Sequence, residues 1–256
     1  MNESKIETYD NCYVGFLDIL GFKDLVEKNS HDELIGIFET IINQVLSKRI
    51  DEFNLPKEGP FGLQGEQYLV ETLFISDSII LWTKNETPRA FVKLILMIFD
   101  IISISFLAGI PLRGGISNGP ISTYKRNNNT TIIGRGLTNA YILEANQNWS
   151  GCIIDESAIE EFNKQNEKFN STEGVTFEEL KNIIGVITEY SVPLKSGKVE
   201  KQNVINWTKN KNVLGEMTID DVRKSFSRHN KFVNDWRVEQ IISNTVNFFV
   251  ELKNGS

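Results

Sequence analysis

Two aspartates set the chemistry that this chain could perform. Asp18 ends an apolar run, Tyr13-Val-Gly-Phe-Leu17, and Gly21 follows at the start of a helical pattern that opens on Phe22. A strand that delivers a carboxylate into a glycine turn and a helix start can hold a metal-bound triphosphate. The carboxylate faces the cation, and the free backbone N–H groups at Gly21 and Phe22 face phosphate oxygens. Gly21 lets the chain approach without a Cβ in the way. Asp77 sits with Ser76 at the bend between two β-like runs, a place that turn chemistry alone also explains. Lys195 begins the tip Lys-Ser-Gly-Lys198 of a second hairpin. Carboxylates carried by adjacent strands can share a pair of hard divalent cations despite their separation in sequence.

The elements that must position these groups follow from periodicity. The strand through Asp18 leads into an amphipathic helix over residues 31–53, with Leu34, Ile35, Phe38, Ile41, Ile42, Val45 and Leu46 on one face. Ser30 and Glu33 form a capping box at its start. Pro56, Gly59, Pro60 and Gly62 mark an irregular connection, and residues 68–82 read as the hairpin that bends at Asp77. A long apolar helix spans 87–107 and ends at Gly109. A short strand with glycines follows at 111–120, then an exposed loop at 125–131 and a strand at Ile132-Ile133. A turn at 134–136 leads into a helix through Asn139 to Ala145, followed by a strand at 151–155 and a polar helix to about Lys168. Residues 169–182 are weakly patterned and read as an insertion. Residues 183–194 and 202–207 form the closing hairpin, and the chain is helical from Leu214 onward. This is an α+β order with mainly antiparallel pairing around a ferredoxin-like βαββαβ core with added strands. The expected division is a catalytic domain over 12–207 and a helical extension over 208–256 packed on it.

Composition bounds the function. The net charge of −7 argues against a broad nucleic-acid surface, which would need clustered Lys and Arg. An acidic site can still take an anionic nucleotide when a divalent metal accompanies it. Cys12 and Cys152 match no metal or redox spacing, and a reducing cytoplasm with both thiols free is the simple account. The N-terminal residues lack the basic-then-apolar order of a signal peptide. Lys93 and Asp100 interrupt the apolar helix, so it reads as a core helix and no membrane partner is expected.

Three motifs, in order and plausibly spaced, resemble the class III nucleotide cyclase catalytic domain. They are Phe16-Leu-Asp18-Ile19-Leu-Gly21-Phe22, Ile75-Ser-Asp77-Ser78 and Arg113-Gly-Gly-Ile-Ser-Asn-Gly119. The resemblance implies that Asp18, Asp77 and the carbonyl of Ile19 bind two Mn²⁺ or Mg²⁺ ions, while the ribose 3′-oxygen attacks the α-phosphorus and pyrophosphate leaves. It implies phosphate contacts from Gly21, Phe22 and Lys195, and a ribose or base contact from Phe16. Arg113 would contact phosphate or tie strands together, and Arg135 would reach ligand or partner chain. It also implies a homodimer whose active sites lie between the subunits.

Departures from the family pattern narrow the branch. Leu73 stands where adenylate cyclases carry a base-reading lysine, and Thr131 falls near their second base reader. Thr138 and Ile142 fall where a charge-stabilising Asn and Arg are expected, with Asn139 and Arg135 as substitutes. The segment from Gly136 to Gly151, notably Ala140-Tyr-x-Leu143-Glu144-x-x-Gln147, resembles the bacterial pyrimidine cyclases of Pycsar anti-phage systems. That likeness implies UTP or CTP as substrate, with uracil favoured, and a cyclic product that activates an effector protein. A catalytically degenerate module that binds nucleotide or dimerises stays open beside it. A diguanylate-forming relative lacks its acidic-glycine signature here.

Overall fold

The computed structural model describes residues 5–54, 69–126, 129–168, 176–183 and 185–254. Four strands make the centre of one sheet: β1 (Lys5–Ile19), β2 (Val70–Ile75), β3 (Ser78–Thr83) and β4 (Leu112–Arg126). Their order is β2-β3-β1-β4, antiparallel at every step. Helices α1 (Phe22–Lys28), α2 (His31–Phe38) and α3 (Lys48–Asn54) lie between β1 and β2, and α4 (Pro88–Ala108) between β3 and β4. That order and connectivity are the expected ferredoxin-like core. Beyond β4 the sheet continues through β6 (Cys152–Ile154), parallel to β4, then the hairpin of β8 (Val199–Ile205) and β7 (Ile187–Pro193).

Alternation along β1 sorts its side chains to two faces. Tyr13, Leu17 and Ile19 join the main core with Phe91, Leu94 and Ile98 of α4, while Cys12, Val14 and Phe16 join a smaller cluster under α5 (Arg135–Asn146). Asp18 therefore lies on the α5 face, at the end of its strand. Helix α4 opens with Pro88 after the N-cap Thr87, whose hydroxyl accepts the Ala90 N–H at 3.3 Å, and stops at Gly109 with φ 76. It is long and apolar enough to cross a bilayer, yet most of it is buried against the sheet. The charge at Asp100 is taken up by Arg49 Nε at 2.5 Å and Asn210 Nδ2 at 3.1 Å.

Several expectations need correction. β1 starts at Lys5, because the largely polar stretch before Cys12 pairs with residues 121–125 of β4, where Tyr9 lies opposite the buried Ile121. The expected loop at 125–131 is largely strand: β4 runs to Arg126 and β5 (Asn129–Ile133) folds back on it. The helix over 31–53 is instead α2, a π-helical stretch (Glu39–Ser47) and α3 in succession, with the Ser30/Glu33 capping box as expected. The connection holding Pro56 to Gly62 lies outside the described residues. So do residues 169–175, while 179–183 form a short π-helical turn. α6 (Glu156–Lys168) is the polar helix, and α7 (Lys211–Leu214), α8 (Ile219–Ser227) and α9 (Trp236–Asn254) follow the closing hairpin. Phe248 of α9 packs on Trp149, Tyr190 and Trp207, with ring centroids 4.6, 4.8 and 5.7 Å away.

Candidate active site

The end of β1 meets the β2–β3 bend and the start of β4. Asp18 is opposite Ser78 on one side and Arg113 on the other. The bend turns through Ser76 in the left-handed region, φ 56, and the Ile19 N–H donates to the Asp77 carbonyl at 3.0 Å. The two aspartates of the sequence reading are thus carried by hydrogen-bonded neighbours. Burial, then the negative charges of Glu144 and Asp77, push the Asp18 carboxyl up to about 7, with Arg113 and Lys195 acting in the opposite sense. The corner is an acidic one whose charge the protein's own cations offset only in part.

Arg113 is buried, and its groups are largely committed within the protein. Nε donates to Glu144 Oε1 at 2.6 Å, Nη2 pairs with the same oxygen, and Nη1 donates to the Gln147 carbonyl at 3.2 Å. Its Nη2 stays 4.0 Å from Asp18 Oδ2. Of the two expected roles, tying elements together is the one this geometry carries. Gln147 continues the tie by donating from Nε2 to the Gly114 carbonyl at 2.7 Å and accepting Trp149 Nε1–H at 2.9 Å. Lys195 follows the isolated bridge Leu194↔Gln147, and its own N–H donates to the Asn146 carbonyl at 2.8 Å. Burial and Arg113 lower the ammonium's pKa, while Glu144 and Asp18 raise it, so the expected phosphate lysine sits within electrostatic reach of Asp18.

Gly21 takes φ 78, and no side chain caps the helix that starts after it. The Phe22 ring turns inward to Phe38, centroids 5.9 Å apart, leaving its backbone at the corner. Phe16 meets Tyr141 of α5 edge to face at 5.4 Å. Arg135 is not brought to this corner. Arg135 opens α5, and Glu144 is nine residues further on, about 14 Å along a helix at 1.5 Å per residue. Helix α5 is seated by absent side chains: a Cβ on Gly115 would lie 2.5 Å from the Ala140 carbonyl oxygen. Sequence reasoning missed Glu144 as the partner of Arg113, because a single acid on a helix declares no partner thirty residues away.

The donor set suits hard divalent cations: two carboxylates and a backbone carbonyl, all oxygen. Among the described residues no group of three or more His, Cys, Asp or Glu side chains could hold a metal ion, so further ligands would have to be phosphate oxygens or water.

No protein-family model matches the sequence, and neither does any curated protein. Solved structures do match the fold. The catalytic core of a rhodopsin-guanylyl cyclase with converted specificity, in complex with ATPalphaS, superimposes with a TM-score of 0.52 at 15% identity, covering 79% of this chain and 98% of that one. A non-canonical dimeric guanylyl cyclase domain of the RhoGC fusion protein from the aquatic fungus Blastocladiella emersonii gives 0.51 at 16%, covering 80% and 97%. A bacterial light-regulated adenylyl cyclase gives 0.51 at 13%, covering 86% of this chain and 56% of that one. This chain therefore has the fold of class III nucleotide cyclase domains.

Proposed function

We propose that a protein with this fold and this acidic corner is a nucleotide cyclase that converts UTP or CTP to the 3′,5′-cyclic monophosphate and pyrophosphate. The observation that carries the reading is the join between Ile19 N–H and the Asp77 carbonyl, which sets Asp77 beside Asp18 at the end of β1. Asp18, Asp77 and the Ile19 carbonyl would hold Mn²⁺ or Mg²⁺, two ions per site. Bound there, the ions would neutralise charge on the entering 3′-oxygen and the leaving pyrophosphate.

The chain's own residues do the rest. Lys195 offers its ammonium to the β- and γ-phosphates from the β7–β8 tip, and Gly21 and Phe22 offer backbone N–H groups. Arg113, held by Glu144 and Gln147, keeps β4 and α5 in register beside Asp18 and limits the repulsion that Asp18 feels. Phe16 and Tyr141 present an edge-to-face aromatic pair on the side where ribose or base would lie. Leu73, half-buried in the cluster under α5, removes the lysine that reads adenine in the resemblance and favours a pyrimidine. Arg135 lies far from its own chain's corner, which supports a two-fold homodimer in which each subunit lends Arg135, with Asn139 on the same helix, to the other's site. The likeness of the Gly136 to Gly151 segment supports a product that acts as a second messenger on an effector protein in anti-phage defence.

Thr138 and Ile142, in place of the expected Asn and Arg, favour a second reading: a cyclase-fold module that binds nucleotide without turnover. Purified protein with Mn²⁺ and each of the four ribonucleoside triphosphates separates them. Release of pyrophosphate and a cyclic monophosphate from UTP or CTP, abolished in Asp18→Ala, is the expected result. Binding without turnover selects the second reading, and turnover of ATP alone rejects the pyrimidine assignment.

A further inference from the structure

Helix α4 ends beside the site, and its last carbonyls have no further helical turn to bond. The C-terminal extension supplies basic side chains to three in succession. Arg228 Nη1 donates to the Leu107 carbonyl, His229 Nε2 lies 2.7 Å from the Ala108 carbonyl, and Lys231 Nζ donates to the Gly109 carbonyl at 2.8 Å. Such groups are favoured at the negative end of a helix. The seat is close: a Cβ on Gly109 would lie 2.6 Å from Arg228 Cβ. To present these groups the chain passes through His229 and Asn230, left-handed at φ 60 and 61, conformations that persist only where the surroundings hold them.

The same turn grips α1 from its other side. Asn29 Nδ2 donates to the His229 carbonyl at 2.8 Å, Asn230 Nδ2 to Asn29 Oδ1 at 2.9 Å, and the Phe232 N–H to Asp24 Oδ2 at 3.1 Å. The Lys231 stem lies along Gly21, where a Cβ would come within 3.2 Å of its Cδ. The Leu20 N–H donates to the Pro111 carbonyl at 2.9 Å, so the β1–α1 corner is also joined to the link after α4. Burial brings the Lys231 ammonium down to about 7, and its hydrogen bonds run to Gly109 and Ser225, which makes it a tie and not a ligand contact.

We infer that Lys231, on the turn over 228–232, is a positioning residue that holds the Leu20–Gly21 corner against the end of α4 and so sets Asp18 and Ile19 for the nucleotide. The inference rests on the cyclase reading of that corner, and its test includes a readout that does not depend on turnover.

In the full chain, Lys231→Met is compared with Lys231→Arg and with Lys253→Met, whose ammonium donates to the Met217 carbonyl at 2.7 Å elsewhere in the extension. Hydrogen exchange of the Leu25 amide, which bonds the Gly21 carbonyl at 3.0 Å, should quicken at least about tenfold in Lys231→Met alone. KM for the metal nucleotide should rise about tenfold with kcat within about threefold, and Lys231→Arg should recover much of it. Unchanged Leu25 exchange, unchanged KM in an active enzyme, or equal effects in Lys253→Met would overturn the inference. Should Lys231→Met not fold, Asn29→Ala, which releases α1 from the His229 carbonyl, is read in the same way. Should the wild type cyclise no nucleotide, the cyclase reading falls and the exchange data alone decide whether Lys231 restrains the corner.

Discussion

The two faces of the sheet are built to different ends. On one, α4 lays an almost wholly apolar helix across Tyr13, Leu17, Ile79 and Leu81, and the aromatic cluster of Trp149, Trp207 and Phe248 belongs to the same core. On the other, α5 covers β1 and β4 and leaves Phe16 and Leu73 half-buried, with Ile75, Tyr141 and Ile142 exposed. Asp18 and Arg113 belong to the second face. The carboxylate of Asp18 keeps 24% of its side chain exposed at the end of the second face, whereas Asp100 on α4 is buried and is met by Arg49 and Asn210.

Substitutions should separate the faces by kind of effect. Asp18→Ala and Asp77→Ala should each lower cyclase activity by at least about a thousandfold while the protein stays folded, read as product formation beside a thermal melt. A melt that collapses with activity would put these aspartates among the structural residues. On the α4 face, Ile98→Ala should cost about 2–5 kcal/mol in urea unfolding with little change in the chemistry of the surviving folded enzyme. A loss well below that would mean that this face is not close-packed.

A fourth substitution tests the sign of the charge at the corner. Asp18 is held at about 7 in the folded protein against an ordinary 3.8, so the folded state binds the proton more tightly. Stability of the metal-free protein should therefore fall as pH rises from about 4 to about 7 and stay low above it. With a side chain still 24% exposed and screened by solvent, Asp18→Asn should gain about 2 kcal/mol at pH 8 and nothing at pH 4. Mn²⁺ should stabilise the wild type and not the variant; equal metal effects on both would remove Asp18 from the proposed site. Smallest of all, Tyr141→Ala should change monomer stability by no more than about 0.5 kcal/mol, yet weaken self-association measured by sedimentation if the open face is the dimer surface.

The sequence was legible where burial imposes a period. The apolar run into Asp18, the Ser30/Glu33 box and the helix that stops at Gly109 follow from local chemistry, and so does the Asp77 bend. The outer arm of β1, β4 and β5 was illegible because only Tyr9, Ile121 and Ile132 join the small cluster under α5, and polar residues such as Glu7, Thr123 and Thr131 fill most of the positions around them. The role of Arg113 required Glu144 from a helix that only the fold brings near. Gly21 drew notice for its freedom to approach a ligand, while the side chain that lies against it, Lys231, comes from the far end of the chain. No pattern within a short window can encode a contact of that span.

The three basic groups on the end of α4 also order events in time. A ribosome releases α4 well before residue 231, and at about 5–20 residues per second the interval is roughly 6–25 s. For most of that interval the most apolar helix of the polypeptide has neither its closing ties nor the Asn210 contact to Asp100. Until then α4 has only the earlier strands β1 to β3 to pack on, and the corner that would grip a nucleotide is braced only when translation is nearly finished.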